Sequence, residues 1–172
     1  MTKKKEEELL SNLTHEMTIS ILKKLYADKE IRRKLVSLAE AELRKIDAGE
    51  IADEVFSELN SLDVEELWDN SGKTRHGYVE PSELAHTMVE NAVEPFALDI
   101  AKYRKLGMKS EEMESCRGLL RGLMRYENEG CNEFKDWIPD SVMEIAETIA
   151  DEYEEHNTEA DATSVKSEIR RD

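Results

Sequence analysis

A chain of 172 residues is long enough for one domain with a substantial core. Its 24 Lys and Arg face 40 Asp and Glu, and the net charge of -16 opposes general binding to nucleic acid or anionic membrane. Hydrophobic residues still reach 39%, which excludes a wholly disordered chain, and the low content of Gly, Pro and β-branched runs favours helices.

Leu10, Leu13, Met17, Ile21 and Leu25 recur at three- and four-residue steps and predict an amphipathic helix over roughly 5–26. Asp28 caps a second, whose inner face carries Ile31, Leu35, Leu38, Leu43 and Ile46. Gly49 interrupts, and Ile51, Ala52, Val55, Phe56 and Leu59 resume the pattern. In SLDVEELW, Asp63 and Glu66 have capping-box spacing, with Leu62 and Leu67 placed as a hydrophobic staple, so a short helix begins there and ends near Asp69.

Pro81 and Ser82 start the next helix, whose stripe runs from Ala85 through Val89, Phe96 and Ile100 to Tyr103, in phase across Pro95. One bent helix is expected, stopping at Gly107. Ser110 caps a further helix to about Asn128, with Cys116, Leu120 and Leu123 inward. A turn in CNEFKDWI buries Phe134 and Trp137, and a last helix from near Pro139 carries Val142, Ile145, Ile149 and Tyr153.

No pair of alternating strands is evident. The expected fold is all-α, either a multi-helix bundle or a short helical-repeat-like stack of antiparallel helix pairs. Residues 1–156 are expected to form a single helical domain, with a subdivision near 62 as the alternative. Residues 157–172 have few large apolar side chains and are expected to form a disordered tail.

The polar segment DNSGKTRHGYVEPSELA invites two chemical readings, and neither completes. Gly72, Lys73 and Thr74 end like a phosphate loop, but Leu67 stands at the first glycine position and a helix, not a strand, precedes. With Gly77 at the centre of an EF-hand loop, Val79 and Glu83 match. The first, third and fifth ligand positions then become Gly72, Thr74 and His76, too little anionic oxygen for calcium. What remains is a helix connector with a compact basic cluster. Lys73, Arg75, His76 and Tyr78 are the candidate docking point for an acidic or phosphate-bearing partner, against the blander reading of surface ion pairs.

Three phrases, LWDNSGKTRHGYVEPSELA, ENAVEPFALDIAKYRKLGM and CRGLLRGLMRYENEG, carry a resemblance. Over about Glu66 to Trp137 the chain resembles helical segments of uncharacterised prokaryotic proteins, some of which carry a SWIM-type zinc finger elsewhere. The finger's CxCx(n)CxH pattern is absent, since only two separated cysteines exist. The resemblance implies a helical, repeat-like interaction region without assigned chemistry.

Glu83 and His86 have the Glu-x-x-His spacing of di-iron carboxylate bundles, with Glu90 one turn on. Such sites need two of these motifs, and one is present. Gly118 and Gly122 mark a strip where a second helix can approach closely, from the same chain or from another copy in a homo-oligomer. Beside it Arg117, Arg121 and Arg125 repeat at four-residue steps. That ridge either pairs with an acidic neighbour, such as the helix bearing Glu144, Glu147 and Asp151, or receives an acidic peptide or a nucleic-acid backbone.

No apolar run approaches the ~20 residues that span a bilayer, and glutamates follow the opening lysines where a signal peptide needs an apolar core. Cys116 and Cys131 are too few for a disulfide framework, so a reduced, cytoplasmic setting is expected. With no assembled catalytic motif, the leading expectation is a protein–protein interaction or scaffold module with a protein partner and without a cofactor. The alternatives are a metal-binding bundle or metal-dependent enzyme using Glu83, His86 and Glu90, and a nucleic-acid-associated protein using the arginine ridge.

Overall fold

Stripes of apolar side chains at helical spacing run through most of the chain, and the fold follows them. A computed structural model describes residues 2–74 and 77–169 and is all-α apart from one small hairpin. The chain divides into two compact units, Met1–Lys45 and Ile46–Asp172. The division lies well before 62. Leu59 and Leu67, on either side of that point, are fully buried in one core.

In the first unit are α1 (Lys3–Ser11), α2 (His15–Leu25) and α3 (Lys29–Leu43). The single helix expected over 5–26 is therefore two. Thr14 takes an extended conformation and its hydroxyl accepts the Met17 N–H at 3.3 Å, while the Asn12 amide turns back to the Glu8 carbonyl at 2.7 Å. Local side-chain bonds thus interrupt a stripe that apolar spacing alone would continue. Asp28 caps α3 through the N–H groups of Glu30 and Ile31, as expected.

The second unit opens with α4 (Ala48–Asn60), capped by Asp47, and α5 (Val64–Asn70), capped by Asp63. Two short strands, β1 (Gly72–Thr74) and β2 (Gly77–Val79), pair antiparallel with Lys73 opposite Tyr78. This hairpin was not expected. It is too short to show alternation in the sequence, and Gly72 and Gly77, the first residues of the two strands, have positive φ values of 77° and 134°.

Next come α6 (Pro81–Leu106), unbroken through Pro95 and ended by Gly107, and α7 (Lys109–Glu129), preceded by Met108 rather than capped by Ser110. A 3₁₀ turn over Glu133–Trp137 buries Phe134, and Trp137 meets Trp68 edge-on at 4.7 Å. Then follow α8 (Ser141–His156) and α9 (Glu159–Lys166).

Helix α9 corrects the expected disordered tail. Thr158 caps it by accepting the Asp161 N–H at 3.3 Å, and Ala162, Val165 and Glu168 are buried. Two small apolar residues suffice there because α7 and α8 already form the surface they complete.

The core lies around α7, which contacts α4, α6, α8 and α9. Its closest approach is to α4. A Cβ on Gly118 would lie 2.6 Å from the Ile51 Cβ, and one on Gly122 would lie 2.5 Å from the Val55 Cβ. The glycine strip is filled by a helix of the same chain, which removes it as a surface for a homo-oligomer. Tyr126 and Asn132 lock the far end. The Tyr126 hydroxyl donates to the Asn132 side chain at 2.7 Å, and that amide donates to the Leu59 and Leu62 carbonyls at 3.2 Å.

Candidate interaction surfaces

Helix α7 presents Arg117, Arg121 and Arg125 along one edge, and all three are engaged within the chain. Arg121 holds Glu168 through two parallel bonds of 3.0 and 2.9 Å. Arg117 donates to the Ser164 hydroxyl and lies 3.6 Å from Glu114 and 3.8 Å from Glu168. Arg125 pairs with Asp53 at 2.5 Å and Glu129 at 3.0 Å, its guanidinium 4.3 Å from the centre of the Phe56 ring. The acidic neighbours from elsewhere in the chain are thus Glu168, just beyond α9, and Asp53 of α4. The helix α8 named in the sequence reading turns Asp151 to Lys166 instead, at 2.7 Å.

Of the hairpin cluster, Lys73 and Tyr78 stand exposed across from each other, Tyr78 to 69%. Arg75 and His76 lie outside the described residues.

For the metal reading, His86 Nε2 lies 3.5 Å from Glu90 Oε1, and both line a groove of about 290 Å³ with Glu94 and Glu144. Glu83 is exposed at the start of α6 and does not line it. Among the described residues no three His, Cys, Asp or Glu side chains gather closely enough to hold an ion.

Glu112 is buried and receives Arg104 at 2.8 Å and the Asn157 amide at 3.2 Å, so that carboxylate serves the α6–α7–α8 junction. Burial above all, with the negative Glu112 nearby, pushes the Cys116 thiol up to about 12. Cys116 is therefore an unreactive core residue, whereas Cys131 is exposed. Native protein treated with iodoacetamide at mildly alkaline pH should gain one adduct by mass, at Cys131, with a second only after unfolding. Two adducts on the folded protein would contradict the packing around Cys116.

The surface that sequence reasoning missed is in the first unit. Among the described residues fifteen large apolar side chains are exposed, and eleven of them lie between Leu9 and Leu38. The stripe residues Leu10, Met17, Ile21, Leu25, Ile31 and Leu38, expected inward, are all among the eleven, and Leu38 is 64% exposed. No residue of α1, α2 or α3 is buried. Helix α2 and its C-terminal cap contribute Leu22, Lys23 and Tyr26, and α3 contributes Leu35, Val36, Leu38, Ala39 and Glu42, to an apolar groove of about 570 Å³. Leu9, Ile19, Leu22 and Val36, off the regular stripe, were the available signal: they widen the apolar face beyond what one helix partner covers. Among the described residues no helix is long and apolar enough to cross a membrane.

Comparison of the chain with family models, with curated proteins and with solved structures finds no match to any of them.

Proposed function

We propose that the protein is a protein–protein interaction module, and that its principal contact surface is the first unit, residues 1–45. One observation carries this: eleven large exposed apolar side chains are concentrated in a unit that buries none of its described residues. Isolated exposed leucines need no explanation, but a cluster of this size is the mark of a binding surface. The arginine ridge supports the reading less well, since its charge is spent on the chain's own acids. The hairpin with Lys73 and Tyr78 is a smaller, secondary contact in this proposal, and a cytoplasmic setting is part of it.

Lysines make the proposal testable. Eight lie in residues 1–45 and six beyond. Amine-reactive cross-linking of the intact chain in cell extract should place intermolecular links on Lys3 to Lys45, whatever the chain at the other end. Links confined to lysines such as Lys102, Lys105 or Lys135 would overturn the assignment.

A further inference from the structure

We infer that the occupant of the α2–α3 groove is the same unit of a second copy, so that two chains pair through residues 1–45; this rests on the contact surface proposed above. Charge distribution is the first support. Residues 1–45 hold 11 Lys and Arg against 8 Asp and Glu, a net of +3, while residues 46–172 hold 13 against 32, a net of -19. Two copies repel each other through most of their length, and the first unit is where they can meet without that penalty. Its charges are of mixed sign, which also distinguishes it from the strongly basic polar face of a helix that lies on an anionic membrane.

The rim of the groove is the second support. It has a cation on one helix, Lys23 of α2, and an anion on the other, Glu42 of α3. When α2 of each copy lies over α3 of its partner, a two-fold axis sets Lys23 against Glu42 twice, with Leu22, Tyr26, Val36 and Leu38 between. A closed dimer requires a self-complementary patch of this kind. Glu42 already holds Lys45 at 2.7 Å, but that pair is largely exposed at the end of α3 and exchanges at little cost.

The third support is area. Half-exposed side chains of this size each offer roughly 50 Å² of apolar surface, so eleven offer on the order of 500 Å² per copy. A standard interface buries about 800 Å² per partner, somewhat more than half of it non-polar, so the supply matches the need. Among its described residues the remainder of the chain has four scattered large exposed apolar side chains, Trp68, Tyr78, Leu98 and Leu106, and no comparable patch.

The test is sedimentation of the intact chain across a hundredfold concentration range, with two charge variants. The unaltered chain should reach twice its monomer mass. Lys23→Glu alone and Glu42→Lys alone should each weaken association at least tenfold, because each places like charges together at both rim positions. An equimolar mixture of the two variants should recover it, since every rim contact in the mixed dimer is again of opposite sign. A chain that stays monomeric at the highest concentration overturns the inference, as does association that neither variant weakens. Recovery in the mixture does not occur if the groove binds a different protein. Cross-links from Lys3 to Lys45 to another chain, with the protein itself monomeric, would leave the contact surface standing and remove only its identification with a second copy.

Discussion

Gly122→Ala lowers stability by about 2 kcal/mol, although helix propensity alone predicts a gain of about 1 kcal/mol from replacing a helical glycine. The reason is the distance between α7 and α4. A methyl group at residue 122 lies 2.5 Å from the Val55 Cβ, 2.7 Å from its Cγ1 and 2.9 Å from the Ala52 carbonyl oxygen. Two of these neighbours are Cβ and backbone, which no rotamer change can move, so α4 itself must shift. Gly118 stands in the same relation to Ile51 and to the Ala48 carbonyl at 2.9 Å. The two contacts share one helix, and a shift of α4 that admits the first methyl eases the second. The double variant should therefore lose less than the sum of the single losses. A thermal midpoint for each variant checks this: a fall of roughly 4–8 °C for Gly122→Ala is expected for a chain of this size. A rise would show that α4 does not lie against the glycines.

That contact was half legible beforehand. Two glycines four apart in an otherwise strong helix former signal close approach, because each carries a cost that only packing offsets. Which helix approaches is a matter of tertiary geometry, and nothing in RGLLRGLMR identifies Ala48, Ile51, Ala52 and Val55 as the opposing ridge. The caps were more local and therefore readable: Asp28 and Asp63 act through N–H groups two or three residues on. Thr14 and Thr158 cap just as locally, but an apolar stripe passes through the first and little apolar content surrounds the second, so neither stands out in the sequence.

The same distinction governs the candidate surfaces. Spacing showed Arg117, Arg121 and Arg125 to be one ridge, but their partners come from residues about 47 and 72 positions away, beyond the reach of periodicity. In α2 and α3 the periodicity is as strong as in the buried helices. A helical stripe announces that a face wants cover and is silent on whether the same chain supplies it. Leu25 and Leu38 remain exposed for that reason, while Val55 and Leu120, on stripes of similar strength, are fully buried.

Arg121→Ala should detach α9 while leaving the rest of the second unit folded. The Glu168 carboxylate is almost fully buried and takes two charge-assisted bonds from Arg121, with Arg117 a further cation 3.8 Å away. Removing one partner of a buried ion pair costs about 3–5 kcal/mol when the remaining charge must stay buried. Here it has an escape. The chain beyond α8 can peel away and return Glu168 to water, at the loss of contacts made by Val165, Ala162 and part of Ile169. Burying one valine is worth about 1.5–3 kcal/mol, and the pairs from Lys166 to Asp151 and Glu154 lie near the surface and add little. Undocking at about 3 kcal/mol is therefore the cheaper response, and the loss should be local. Hydrogen exchange should rise over residues 159–169 and stay slow in α4, α6 and α7. Replacing both partners, Arg121→Leu with Glu168→Leu, should restore protection, because the buried charge is then gone along with its partner. Unchanged exchange over α9 in Arg121→Ala would show that Glu168 does not hold it, and loss of protection throughout α7 would show that α9 is part of the core rather than a cover upon it.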